Sequence, residues 1–282
     1  MIVLENGAAR LELFPDVGGA VAGFTVDGRD VLRPAAQGAT DVLDTASFPL
    51  VPFCNRIPHG RFAFEGREFL LKPNLGDHPH PLHGQGWRGA WTVDSAKGAQ
   101  ALLSYDHAPL DWPWAYRAEQ RLVLGEAGLR IELSVTNTGD TAMPAGLGFH
   151  PYFPRRPGEG LKASVDGVWM IDQDVLPTVH HQGVWGDDWA HGAGVEGHAT
   201  LIDHCYTGWN QRAELTAPGL PTTTITASPE CRWLHIYAPP GHDFYCVEPC
   251  ASRPNPFGEG ETGMVTLAPG QTHAVWMEIA TG

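Results

Sequence analysis

Basic residues are scarce in this chain: 18 lysines and arginines stand against 32 aspartates and glutamates, a formal charge of −14. Nucleic acid and anionic membrane surfaces both reward clustered Lys and Arg, so neither is an expected partner. Cysteine is sparse as well. Cys54, Cys205, Cys231, Cys246 and Cys250 are odd in number and lack the spacing of a small disulfide scaffold, which fits reduced thiols in a cytoplasmic protein. Cys246 and Cys250 enclose Val-Glu-Pro, which is not a zinc-ribbon spacing, and no second pair follows. No apolar run approaches the roughly 18 residues of a membrane helix. Met1 to Gly7 has neither the basic start nor the apolar stretch of a signal peptide. The expectation is a soluble, cytoplasmic protein. A Gly-x-Ser-x-Gly elbow, a phosphate-cradling loop and a dinucleotide fingerprint are also missing, which removes several common enzyme classes.

Helical periodicity is nearly absent. Its best opportunity is a short turn around Asp106 to Trp114, which Pro109 and Pro113 keep short. What the chain has instead is alternation with period two, punctuated by 34 glycines and 24 prolines. Ala9, Leu11 and Leu13 alternate with Arg10 and Glu12. Phe62 and Phe64 face Phe69 and Leu71 across Glu65-Gly66-Arg67, a hairpin pattern. The clearest signal runs from Leu129 through Ile131 and Leu133 to Val135. Further strands are expected at Thr222 to Ala227, Trp233 to Tyr237, Phe244 to Val247 and Val275 to Ile279. Residues 180–200, rich in Gly, His, Trp and Asp, read as a long surface excursion. With no repeat or linker to divide it, the chain is expected to form one all-β domain, residues 1–282, built as a large antiparallel β-sandwich.

Four segments carry groups that could do chemistry. In Met143 to Phe153, an extended backbone puts Gly146, Gly148 and His150 on one face, an imidazole beside two positions without side chains that leave room for a ligand. A structural histidine bonded to backbone carbonyls is an equal alternative. In Phe244 to Cys250, Glu248 ends an apolar strand before Pro249; a carboxylate there could act as a base, or simply emerge into solvent. Asn55 and Arg56 offer several donors, and His83 sits beside Gly84 where backbone can be approached closely. Asp203 follows two apolar residues and could accept hydrogen bonds from sugar hydroxyls, or be a turn residue. His78, His80 and His83 suggest a metal cluster, but their Pro-rich loop lacks i,i+4 geometry, and no metal site is expected. Trp87, Trp91, Trp112 and Trp114 could stack on a sugar, though core packing is the better account of most of them.

Taken in order, Asn55-Arg56-Ile57 with its Gly-x-Phe hairpin, Asn74, Leu82-His83-Gly84, His150-Pro151-Tyr152-Phe153, Asp203-His204 and Glu248-Pro249 resemble the aldose 1-epimerase (galactose mutarotase) family, in the manner of its divergent bacterial members. The resemblance spans almost the whole chain. It implies a galactose mutarotase-like β-sandwich with an open sugar-binding cleft and no cofactor. It further implies Glu248 as general base, His150 as general acid, and Arg56, His83, Asp203 and Asn55 as the groups holding the sugar. A neighbouring carboxylate is expected to raise the His150 pKa. The partner would be a small sugar, and the chain a monomer or weak homodimer. After Glu248 the sequence continues Pro-Cys-Ala-Ser, unlike the Thr-Gln continuation of galactose mutarotases, which leaves the sugar open. A hexose-phosphate mutarotase would need a basic cluster, for which Arg155-Arg156 is the candidate. A non-catalytic carbohydrate-binding protein would need no acid–base pair. A glycosidase would ordinarily need two flanking carboxylates.

Overall fold

A computed structural model describes residues 1–195 and 199–282. Its period-two segments form two large antiparallel sheets. The larger, eleven-stranded sheet runs in the order Ile2–Asn6, Ala9–Phe14, Ala20–Val26, Ser47–Leu50, Gly148–Pro154, Phe244–Cys250, Trp233–Ala238, Ile202–Thr207, Gly167–Ile171 and Pro177–Gln182, with Arg29–Asp30 paired to Ala20–Val26. The nine-stranded sheet is centred on Thr272–Thr281, Gly128–Asn137 and Tyr116–Leu124. Leu129, Ile131, Leu133 and Val135 are buried as their alternation requires, and the first three pair with Ile279, Met277 and Val275 on the same inner face. From the other sheet Leu11, Leu13, Phe24, Phe149, Phe153, Ile236 and Val247 complete a shared core. The all-β sandwich read from the sequence is therefore the architecture found.

The turns follow local chemistry. Glu65 and Gly66 both take positive φ (48° and 75°), the backbone of a tight two-residue hairpin between Arg61–Phe64 and Arg67–Leu70. Asp106 to Trp114 holds no helix; the short 3-10 turns lie at Val42–Asp44, Pro58–Gly60 and Gly86–Arg88. Residues 180–200 are more than a surface excursion. Pro177–Gln182 is an edge strand of the larger sheet, Ala193–Gly194 pairs with Gly160–Leu161, and Trp189 sits in the main core. An indole that large is worth burying wherever a loop can reach the core. Residues 196–198 of that segment lie outside the described residues. Trp87, Trp91, Trp112 and Trp114 are all buried, so packing, not sugar stacking, is their use.

Candidate active site

Register brings the floor of the site together, because residues opposite one another in a ladder share a face. Glu248 pairs with His235 on one side. On its other side, the ladder keeps one register from Gly148↔Cys250 to Tyr152↔Cys246, which sets His150 opposite Glu248. Phe48 pairs with His150, and Cys205 with His235. One row, Phe48–His150–Glu248–His235–Cys205, thus crosses adjacent strands on the face turned away from the main core. The next row is Tyr152–Cys246–Tyr237–Asp203. Phe48, Tyr152, Cys205 and Cys246 of these rows pack with Trp87 and Trp233 in a second apolar cluster. Above them opens a cleft of about 400 Å³ lined by Asn55, Arg56, His83, His150, Asp203, His235 and Glu248. All six residues singled out in the sequence converge there.

Two details differ from expectation. Glu248 does not end its strand; Phe244–Cys250 continues through Pro249, and the carboxyl is 2% exposed. Pro249 pairs with Leu234 on one side and, on the other, lies in the interval between Gly148↔Cys250 and Tyr152↔Cys246 where the ladder is interrupted, so its missing N–H is tolerated. Nor do the glycines beside His150 clear space for a ligand. A Cβ at Gly148 would lie 2.7 Å from Cys54 Sγ and 3.2 Å from Cys250 Sγ, and one at Gly146 would meet Ser252 and Met264. They are small so that protein can pack against them.

The loop carrying Asn55 and His83 is locked by reciprocal bonds. Asn55 N–H donates to His83 Nδ1 at 3.0 Å, and His83 N–H donates to the Asn55 carbonyl at 2.9 Å. Because Nδ1 accepts, the neutral ring carries its proton on Nε2, a donor fixed toward the cleft. Burial, then the nearby His150 and Arg56, holds the His83 pKa well below 6.5, so the ring stays neutral. Asn74 secures the loop from behind: its side chain accepts from Leu82 N–H and donates to the carbonyls of Leu82 and Gly84. Asn55 and His83 both sit at φ 58°, with Gly84 at 75°. A Cβ at Gly84 would lie 2.3 Å from the Val51 carbonyl oxygen and 2.4 Å from Pro52 Cδ. Gly84→Ala is therefore expected to cost about 2–3 kcal/mol in urea unfolding; an unchanged midpoint would mean the loop has another way to close.

His150 is held as a slab. Its ring stacks on Phe48 (centroids 4.5 Å apart) and Tyr152 (4.8 Å), and meets His83 edge-on at 5.4 Å. Its Nε2 lies 3.4 Å from Glu248 Oε1. The expected rise in its pKa is reversed: burial, then His235, lowers it to about 3. Glu248 moves the other way. Burial, then the charge of Asp203, pushes its carboxyl well above 4.5. Both shifts favour the uncharged forms, a carboxyl facing a neutral imidazole, over an ion pair.

Asp203 is the charged anchor. Its Oδ1 accepts from His235 Nε2 at 2.5 Å, and its Oδ2 lies 3.5 Å from Arg56. Burial would raise this carboxyl, but the His235 hydrogen bond and the charges of His235 and Arg56 outweigh it and keep the group below 3.8. Arg56 is steadied by Asn55 Oδ1, which accepts from its backbone N–H and from its guanidinium.

His235 was not anticipated, although its signal resembles that of Glu248: a polar residue between Leu234 and Ile236 in an apolar strand. Arg33 was missed too. It lines the cleft with its guanidinium 4.0 Å above the Tyr152 ring, donating to the carbonyls of Leu43 and Thr45. The basic pair Arg155-Arg156 is not in the cleft. Arg155 donates to the Pro239 carbonyl and Arg156 to that of Asp30, so this pair supplies no phosphate site there. His80 packs edge-on against His59 and His78, and His83 lies apart from them in the cleft.

Comparison with known proteins agrees with this fold. The family model for aldose 1-epimerase matches residues 1–280. An uncharacterized protein of Escherichia coli K12, YphB, is 32% identical over 282 residues, covering 95% of this chain and 94% of that protein. Among solved structures, a putative aldose 1-epimerase from Escherichia coli K12 superposes with a TM-score of 0.92 at 30% identity, covering 99% of this chain and 98% of that one. A GalM/aldose epimerase homologue from Caenorhabditis elegans shares the fold, with a TM-score of 0.85 at 18% identity over 100% and 98% of the two chains. The match of the family model over residues 1–280, with 32% identity to YphB across 95% of the chain, identifies this chain as a member of the aldose 1-epimerase family.

Proposed function

We propose that this protein is a mutarotase that interconverts the α and β anomers of a free aldose, acting as one domain over residues 1–282. The observation that carries the reading is the buried approach of His150 Nε2 to Glu248 Oε1, 3.4 Å apart on the cleft floor. Ring opening needs one group to take the C1 hydroxyl proton and another to give a proton to the ring oxygen as the C1–O5 bond breaks. Glu248 is the base and His150 the acid. Rotation about C1–C2 turns the aldehyde, and closure returns both protons. The bookkeeping of one shared proton gives the resting state meaning. A carboxylate facing an imidazolium is the pair before opening, and a carboxyl facing a neutral imidazole is the pair after it. Burial favours the second in the sugar-free cleft. A C1 hydroxyl donating to Glu248 favours the first, so the two states are drawn toward equal energy.

Around the pair, His83 Nε2–H and the Arg56 guanidinium donate to sugar oxygens, Asn55 holds Arg56, and Asp203 accepts from hydroxyls. Proton transfer balances among sugar, Glu248 and His150 without a cofactor. A glycosidase would place a second carboxylate where His150 stands. Polarimetry of freshly dissolved α-glucose and α-galactose tests the proposal. The approach to equilibrium rotation is expected to quicken in proportion to protein. Sugar binding by calorimetry with no such acceleration would make the protein a binding module instead.

A further inference from the structure

Cys246 is two residues before Glu248 on the same strand and the same face, and its thiol is fully buried between Tyr152 and Tyr237. Filling space would account for a small apolar side chain there. It does not account for the company. One nitrogen of His150, the sulfur of Cys246 and one oxygen of Glu248 all lie within 4.8 Å of one another, and each of the three residues is more than nine-tenths buried. His150 Nε2 itself stands 3.4 Å from Glu248 Oε1. An imidazole nitrogen, a thiolate and a carboxylate form the donor set of zinc-class ions, which bind such groups at about 2.0–2.3 Å in tetrahedral geometry. Ligand atoms around such an ion sit roughly 3.3–3.8 Å apart, so the three donors need only a modest contraction.

We propose that His150, Cys246 and Glu248 form a binding site for a thiophilic divalent cation of the zinc or cadmium class, with a fourth position open to the cleft. Binding displaces the thiol proton of Cys246 and the carboxyl proton of Glu248 to solvent, and the ion takes the lone pairs they covered. No electron is transferred. The same ion then occupies both groups that move protons, so it switches the cleft off. That consequence rests on the mutarotase reading; the binding itself does not. The thiolate selects against hard ions such as Mg²⁺ and Ca²⁺, which prefer oxygen ligands.

The test titrates the chelator-treated full chain with Cd²⁺, following the ultraviolet charge-transfer band of a cadmium–thiolate bond alongside the polarimetric rate. The expected result is a saturable band at one equivalent, with the rate falling in step, and neither effect from Mg²⁺. Cys246→Ala and Cys246→Ser are expected to keep sugar turnover, lose the band and resist Cd²⁺ at least about tenfold better, as loss of one ligand requires. An undiminished band in Cys246→Ala, or none in the wild-type chain, overturns the site. A Cys246-dependent band in a chain that never accelerates mutarotation upholds the site and sinks the functional reading, so the two failures are told apart.

Discussion

Glu248→Gln is expected to slow enzyme-driven anomer exchange by about 10²–10⁴-fold, the usual worth of a positioned proton transfer. Gln fills the same volume and can still accept a weak hydrogen bond from a sugar hydroxyl, but it cannot hold the proton. The loss should fall on kcat, with KM little changed. The same substitution should make the fold more stable at neutral pH, and here the sign matters. Glu248 has a folded-state pKa raised above its unfolded value of 4.5. Between those values the folded chain holds a proton that the unfolded chain releases, so stability falls as pH rises through that window. Gln carries no such liability. A gain of about 1–2 kcal/mol at pH 8, shrinking toward pH 4.5, is expected from urea unfolding, in keeping with the strain that functional sites store. His150 acts in the opposite direction. Its folded pKa of about 3, against 6.5 unfolded, gives stability that is complete above 6.5 and drains away as pH falls toward 3. An unchanged polarimetric rate in Glu248→Gln would dispose of the catalytic assignment, whatever the stability did.

The strands were legible because each half-buried strand writes its own alternation. Leu129 to Val135 names its inner face residue by residue, and the ladder with Val275 to Ile279 follows from the same pattern. The site was legible in part for the complementary reason. A polar residue inside an apolar run, such as His150 or Glu248, has no cheap structural explanation. By that reasoning His235 could have been found, since it breaks the run Trp233 to Ala238 in the same way. What sequence could not supply was which partner each group meets. Gly148 announces that something comes close to the backbone, but only the fold shows it to be Cys54 and Cys250. Arg33 reads as a surface cation beside Pro34 until the Tyr152 and Phe244 rings are seen beneath it, at 4.0 and 4.5 Å. The direction of the His150 shift was misjudged for a similar reason. Burial of the ring itself, then the neighbouring His235, lowers this imidazole and outweighs what a nearby carboxylate could add.

The second large effect is expected at Asp203, where structure and catalysis share one carboxylate. Asp203→Ala should lower stability by about 3–5 kcal/mol, the usual result of removing one member of a buried charged set. The cost comes from what remains. His235 Nε2 loses its acceptor at 2.5 Å, and its Nδ1 already has no partner. Arg56 loses the only carboxylate within ion-pair distance among the described residues, while its Nε is likewise buried and unpartnered. Without that counter-charge the guanidinium would be drawn toward water and away from the sugar. Asp203→Asn keeps the shape and one acceptor, so it should unfold between the alanine variant and the wild type while binding sugar more weakly than the wild type. The pH dependence supplies an independent check. Asp203 has a folded pKa held below its unfolded value of 3.8, so its contribution is present above 3.8 and is lost as pH falls through the folded value. The gap in stability between wild type and Asp203→Ala should therefore be full at pH 7 and narrow only in strong acid. A double-mutant cycle with His235→Ala separates the two partners. If removal of His235 leaves the cost of Asp203→Ala intact, the bond between them is incidental and Arg56 carries the coupling. A cost that collapses in the His235→Ala background would instead place His235 as the residue that orients Asp203 toward the sugar.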